Sequence, residues 1–272
     1  MIYLQPRNAA RNLWRNRDLI IELTRRELSQ RYRGSFLGVL WSLLVPFVML
    51  VIYTFVFSFI FKARWNVNGE QASSVDYALT LFAGMTAFNV FSELVTRSAT
   101  LITGMPNYVK KVVFPLEVYP LVILLVAVVM SFINIGLLLV ANLLLAHSIS
   151  RTLFLLPLAY LPLIFLCLGL GWFFSAIGVY IRDLAQIVPV FTTMMFFLSP
   201  IVYPLSIVPE PLQPILQLNP LTTITECFRQ SLIWGGPLPW FEWSVWTVLS
   251  LCLALLGYAW FMGTKKGFAD VL

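Results

Sequence analysis

Apolar stretches long enough to cross a membrane follow one another along the chain, separated by short polar breaks. A span needs about 20 mostly apolar residues. Six stretches qualify: Phe36–Phe61, Tyr77–Leu101, Leu116–Leu145, Thr152–Tyr180, Leu184–Tyr203 and Trp240–Gly263. The pattern predicts an all-α polytopic membrane protein, with a cytoplasmic arm over residues 1–35 and a six-span domain over 36–272. One segment departs from it. Between Ile181 and Arg229 the chain carries Pro200, Pro204, Pro209, Pro211, Pro214 and Pro220, yet it stays apolar. Proline removes a backbone donor and clashes with the preceding turn, so no straight helix survives there. Broken apolar backbone at a membrane edge is tolerated where it is packed in protein or lines a cavity. Leu221–Trp234 contains neither proline nor glycine and predicts a recovered helix, with Thr222 and Thr223 as candidates to start it. The expected form is a re-entrant segment over about 204–236, two short helices entering and leaving the outer leaflet.

The polar positions orient this scheme. Arg7, Arg11, Arg15, Arg17, Arg25, Arg26, Arg31 and Arg33 precede the first span. Lys110 and Lys111 follow the second, Arg182 the fourth, and Lys265 and Lys266 the sixth. These thirteen of the 18 basic residues fall on one side, which the positive-inside rule makes cytoplasmic, together with both termini. The net charge of +6 is therefore topological and gives no reason to invoke nucleic acid. Only 11% of residues are charged, against about a quarter in soluble domains. Residues 1–33 are basic and lack an early apolar core, which argues against a cleavable signal peptide. The cysteines, Cys167, Cys227 and Cys252, have no metal-ligand spacing and read as small hydrophobes. A lone histidine, His147, makes no metal site.

From Asn8 to Ser35, Leu13, Trp14, Ile20, Ile21, Leu23 and Leu28 are interleaved with arginines, the pattern of one or two amphipathic helices lying in the headgroup layer. The arm reads as a lipid anchor, and also as the frame of a docking site for a cytoplasmic partner, with Arg26 and Glu27 among its charges. The loop after span two mixes Met105, Pro106, Asn107, Tyr108, Val109 and Phe114 with Lys110 and Lys111. A short helix resting on lipid has this composition, and so does one pressed into a groove on another protein.

Ionisable residues inside apolar spans are costly and often mark function. Glu93 and Arg97 are spaced to share a helix face and pair in span two, and Glu226 and Arg229 can pair in the recovered helix. Arg182 and Asp183 mark a tight turn. The phosphate-binding pattern GxxxxGK[ST] and the GxGxxG fingerprint are both missing. No catalytic triad or carboxylate pair can be assembled, so an enzyme reading lacks a polar cluster. A proton relay lacks acids. Uphill transport would draw its energy from another subunit; a self-contained channel would need none.

The residues also carry a resemblance. RRELSQRYRGSFLGVLWSLLVPF at Arg25–Phe47, FNVFSELVTRSATLI at Phe88–Ile102 and NYVKKVVFPLEVYPL at Asn107–Leu121 are followed by IRDLAQIVPVF at Ile181–Phe191, SPIVYP at Ser199–Pro204 and NPLTTITECFR at Asn219–Arg229. In this order and spacing the chain resembles the membrane subunit of bacterial polysaccharide ABC exporters, the permeases for O-antigen, group 2 capsule and teichoic acid. The resemblance implies a homodimer in the inner membrane, bound to two ATP-binding cassette subunits that hold ATP and Mg, with no cofactor in this chain. It implies export of a lipid-linked polysaccharide to the periplasmic side, and the two-sided membrane context favours O-antigen. A permease for a drug or small lipid remains open.

The resemblance makes Met105–Phe114 the coupling element, with the arm beside it, and makes Pro204–Trp234, with Pro204, Asn219, Pro220, Glu226 and Arg229, a gate at the outer end. Sugar rings stack on aromatic faces. Tyr53, Phe57 and Phe61 fall on one face of span one, and Phe191, Phe196 and Tyr203 lie in or after span five. They are candidates to line a channel, or else pack against lipid and other helices.

Overall fold

A computed structural model describes residues 6–31, 33–60, 66–67, 70–71, 74–110, 114–145 and 150–272. Phe61, Lys62, Arg64, Lys111 and His147, with the expectations attached to them, lie outside the described residues. Among the described residues the regular structure is helical apart from a two-residue antiparallel ladder, Asn66–Val67 with Glu70–Gln71. The arm forms α1 (Pro6–Arg15) and α2 (Arg17–Arg31). The remaining long helices are α3 (Trp41–Tyr53), α4 (Ser74–Ser98), α6 (Tyr119–Leu145), α7 (Leu156–Tyr180), α8 (Leu184–Leu198) and α11 (Trp240–Thr264). Short α5 (Pro106–Lys110) sits in the loop after α4. Short α9 (Gln213–Gln217) and α10 (Pro220–Arg229) sit between α8 and α11, and α12 (Phe268–Val271) closes the chain.

Among the described residues, five helical stretches are long and apolar enough to cross a membrane: Gly38–Phe57, Val75–Ser98, Leu116–Leu145, Leu153–Tyr180 and Trp240–Val271. α8 is shorter than expected. It stops at Leu198 rather than running to Tyr203 and has 15 residues, fewer than the about 20 of a full span. Ser199 precedes Pro200, whose ring disfavours the helical region for the residue before it, and Ser199 is extended (φ −106°, ψ 137°).

α4 is the most enclosed of the five stretches and α3 the least. α4 supplies Leu79, Ala83, Ala87, Phe91, Leu94 and Val95 to the core, where α6, α7 and α10 pack around it. The most extensive helix pairing is between α7 and α11. A β-carbon at Gly257 would lie 2.3 Å from Gly169 O, and one at Gly169 would lie 2.8 Å from Leu253 C and O. Small residues let the two backbones touch, as is usual where lipid offers no hydrophobic drive for association.

α10 begins at Pro220, one residue before the expected start at Leu221, and neither Thr222 nor Thr223 caps it. The Asn219 side chain accepts from Leu221 N at 3.0 Å and caps the helix, Pro220 takes the first position, and Thr222 Oγ1 instead donates to Leu216 O. α10 continues as a wide turn over Gln230–Trp234 and ends at Gly235, whose φ of 70° is the left-handed value that glycine supplies at helix ends.

Candidate functional site

All the segments that the basic residues placed on one side meet at one end of the bundle. Ile20 of α2 is buried against Val118 and Val122 at the start of α6, with Leu13, Leu19 and Leu23 around them. Trp14 on α1 stays exposed, with the Arg17 guanidinium 5.4 Å over its ring. Apolar contacts hold the arm down, while its other face keeps the arginines outward.

The coupling candidates converge here. Arg26 and Glu27 of α2 share a cleft of about 130 Å³ with Met105, Tyr108 and Tyr119. Tyr108, Phe114 and Tyr119 form one aromatic cluster, with ring centroids 5.1 Å (Tyr108–Phe114), 5.3 Å (Phe114–Tyr119) and 6.2 Å (Tyr108–Tyr119) apart. Val109 is half-buried against the core, while Pro106, Asn107 and Lys110 are exposed. α5 thus has an inner face tied to α6 and an outer face free for contact.

Glu93 and Arg97 do pair, 3.6 Å apart, but within a larger network. Glu93 Oε1 lies 2.6 Å from Arg31 Nη1, and Arg97 Nη2 donates to Glu27 Oε1. Two cations and two carboxylates alternate between α2 and α4, so the arm is bolted to the central helix. The network closes one end of a polar cleft of about 690 Å³ between α3, α4 and α6, whose wall includes Asn89, Ser92, Ser131 and Asn134.

A second tie, missed in the sequence, centres on Glu117. Its side chain is buried, 4% exposed, and accepts from Asn12 Nδ2 at 2.8 Å and Lys265 Nζ at 2.6 Å. Its carbonyl accepts from Trp172 Nε1 at 2.9 Å, and Asn12 also donates to Tyr258 Oη. Glu117 therefore joins α1, α6, α7 and α11. Its signal in the sequence was one acid in an otherwise apolar stretch, with its charge partner 148 residues away.

At the opposite end lies the non-helical segment 199–203. The carbonyls of Pro200, Ile201 and Val202, and those of Phe197 and Leu198 in the last turn of α8, are met by side chains. Arg229, 1% exposed, donates from Nη2 to Pro200 O and Ile201 O, both at 2.8 Å, and from Nε to Thr80 O of α4 at 3.4 Å. Tyr77 Oη of α4 donates to Val202 O at 2.6 Å, Tyr203 Oη to Phe197 O at 2.7 Å, and Asn219 Nδ2 to Ser199 Oγ at 2.9 Å and Leu198 O at 3.3 Å. Pro204 is buried beside this set. Unpaired carbonyls in an apolar setting are costly, and this donor set removes the cost. A glycine on α4 makes room for it, since a β-carbon at Gly84 would meet Arg229 Nη2 at 3.0 Å. Glu226 accepts from Gln230 Nε2 at 3.1 Å.

The aromatic candidates pack in pairs within one copy. Phe57 stacks on Tyr77 at 5.5 Å, with Tyr53 against the same cluster. Phe196 meets Phe88 at 5.2 Å, and Phe191 meets Phe174 at 6.1 Å. All five of Tyr53, Phe57, Phe191, Phe196 and Tyr203 are half-buried.

These features define a multi-pass membrane protein whose basic end is built from an arm and a short exposed helix, and whose opposite end is a proline-broken segment locked by side chains. The family model for ABC-2 type transporters matches residues 18–233, and the chain belongs to that family. It is 30% identical over 231 residues to the O-antigen export system permease protein RfbA of Myxococcus xanthus, covering 84% of this chain and 85% of the relative. It is 26% identical over 256 residues to a protein of the same name from Klebsiella pneumoniae, covering 94% and 95%. The polysialic acid transport protein KpsM of Escherichia coli is 25% identical over 213 residues, covering 77% and 79%.

Proposed function

We propose that this protein is the transmembrane subunit of an ATP-driven exporter. It moves a lipid-linked polysaccharide, with O-antigen as the first candidate, from the cytoplasmic to the periplasmic side of a bacterial inner membrane. It works as a homodimer with two ATP-binding cassette subunits, and both termini are cytoplasmic. The observation that carries this reading is the meeting of Arg26, Glu27, Met105 and Tyr108 in one cleft beneath the exposed face of α5. Similarity to O-antigen permeases over nearly the whole chain supports the cargo. Similarity to a polysialic acid transporter favours capsule as the second candidate.

The geometry suggests how a push on α5 travels. Tyr108 passes displacement to Phe114 and Tyr119, and so to α6. Glu27 and Arg31 pass displacement of the arm to Arg97 and Glu93 on α4. α4 then runs through the core to Tyr77, which holds Val202, and to Thr80, whose carbonyl accepts from the Arg229 that holds Pro200 and Ile201. From Arg97 to Thr80 is about 25 Å at ~1.5 Å per residue. A rigid helix with polar contacts at both ends suits a lever that opens and closes the re-entrant gate. Channel-lining roles for the aromatic residues belong to the dimer, where α3 and α8 carry exposed apolar faces.

Capture of the tagged protein from its native membrane, with stoichiometry by mass spectrometry, tests the reading. A soluble ATPase subunit at one copy per permease is expected, and Lys110→Glu weakens its capture. A homo-oligomer free of any ATPase, under conditions that preserve a known ABC complex, would move the protein to the channel or enzyme class.

A further inference from the structure

Beside the locked segment, α10, the start of α11 and the prolines enclose a cleft of about 470 Å³. Ligand pockets are typically ~300–1,000 Å³. Its polar lining includes Glu226, Glu242, Gln217 and Gln230 beside Arg229 and the hydroxyls of Ser206, Thr222 and Thr223, and its flat apolar lining includes Trp234, Pro204 and Pro239. We propose that this cleft is a saccharide-binding subsite at the outer end, which takes a neutral sugar unit of the exported glycan and disfavours polyanionic glycans. The proposal rests on the glycan-export reading and narrows its cargo.

Three features of the cleft carry it. Pyranose rings present vicinal hydroxyls around their edge and C–H groups on their faces. Carboxylates accept two hydroxyl donors at once, and carboxamides both donate and accept. The cleft offers two of each. Glu242 is exposed at the opening, whereas Glu226 is held in place by Gln230 Nε2 at 3.1 Å. That hold depends on Gly236, because a β-carbon there would lie 2.3 Å from Gln230 Oε1. An aromatic ring and proline rings match the C–H faces.

Charge sets the preference. Two carboxylates line the cleft against one guanidinium, and Arg229 is engaged with the carbonyls of Pro200, Ile201 and Thr80. A sugar acid entering here meets like charge, whereas a neutral hexose does not. A metal ion is the competing occupant of a two-acid cleft. Among the described residues no group of three or more His, Cys, Asp or Glu side chains could hold one.

The test is saturation-transfer NMR on the full-length protein, in its native complex in lipid nanodiscs, with mannotriose and trisialic acid as probes. Mannotriose should show saturation transfer in the unaltered protein, at least threefold weaker in Glu242→Gln and in Trp234→Leu. Trisialic acid should show little, and should gain in Glu242→Gln. Elution volume and melting temperature confirm that both variants fold, and Glu242 is exposed, so its substitution leaves the core intact. Equal mannotriose signals in all three proteins overturn the proposal, and so does trisialic acid matching mannotriose in the unaltered protein. Saturable calcium binding that expels mannotriose overturns it too, in favour of a cation site. The two readings fail separately. A missing ATPase in the capture experiment removes the exporter but leaves saccharide binding measurable, and absent saccharide binding leaves the ATPase in the complex.

Discussion

Glu93 of α4 lies 2.6 Å from Arg31 of the arm and 3.6 Å from Arg97, one turn further along its own helix. The nearer partner is the one from another helix. With Arg97 also held by Glu27, the pair read from the sequence becomes a bolt between the arm and the centre of the bundle.

Loosening that bolt should uncouple more than it unfolds. The four side chains are between 20% and 38% exposed, so water screens them in part and each contact adds little stability. Arg97→Met should leave assembly intact and lower ATP-driven export about fivefold, the low end of typical coupling energies. The double variant Glu27→Gln with Arg97→Met should be no worse than Arg97→Met alone, because both remove one interaction. Additive losses in export would show that the two residues act separately.

Glu117 and Lys265 should behave differently, because the carboxylate is buried. Lys265→Met leaves it without its cation and should cost about 3 kcal/mol, the cost of breaking a buried pair. Thermal unfolding in detergent should show a clear drop in melting temperature. Adding Glu117→Gln should restore part of the loss, because an amide needs no counter-charge. A double variant no more stable than Lys265→Met would contradict the assignment.

At the other end, Arg229 serves the backbone. Arg229→Met would strand the carbonyls of Pro200 and Ile201, at about 1–3 kcal/mol for each unsatisfied group. The variant should melt far below the unaltered protein. Arg229→Lys keeps the charge but loses the planar group that reaches Thr80 O from Nε while Nη2 reaches Pro200 O and Ile201 O, and should fall between the two. A methionine variant as stable as the parent would mean that these hydrogen bonds are incidental.

The contact of α7 with α11 makes a prediction with an internal control. Gly257→Ala places a β-carbon 2.3 Å from Gly169 O and must push the helices apart, whereas Gly263→Ala meets nothing within 4 Å. The first should lower the melting temperature. The second should leave it unchanged or raise it slightly, because alanine is the better helix former. Equal effects would contradict the packing.

Some of this was legible in the sequence and some was not. Helices and the proline-broken segment follow from local rules: apolar run length, and proline chemistry at Pro200 and Pro204. The pairing of Glu93 with Arg97 followed from helix periodicity. Arg31 and Glu27 as their other partners did not, because those contacts join residues 62 and 70 positions apart. Glu117 escaped for the same reason. The sequence spaces Arg229 to pair with Glu226, but its service to main-chain carbonyls depends on where α8 stops, which Pro200 sets. Asn219 outcompeted Thr222 as the helix cap because Thr222 found an acceptor in Leu216 O.

Transport through this protein should be driven by ATP. The direct measurement uses proteoliposomes with the ATPase side outward, the purified complex, and a labelled lipid-linked O-antigen in the outer leaflet. Entry into the lumen is read as protection from an added endoglycosidase. Protection should rise with ATP and Mg, stay flat with a non-hydrolysable analogue, and rise about fivefold more slowly with Arg97→Met. Protection that grows equally without ATP, or with the permease alone, would contradict it.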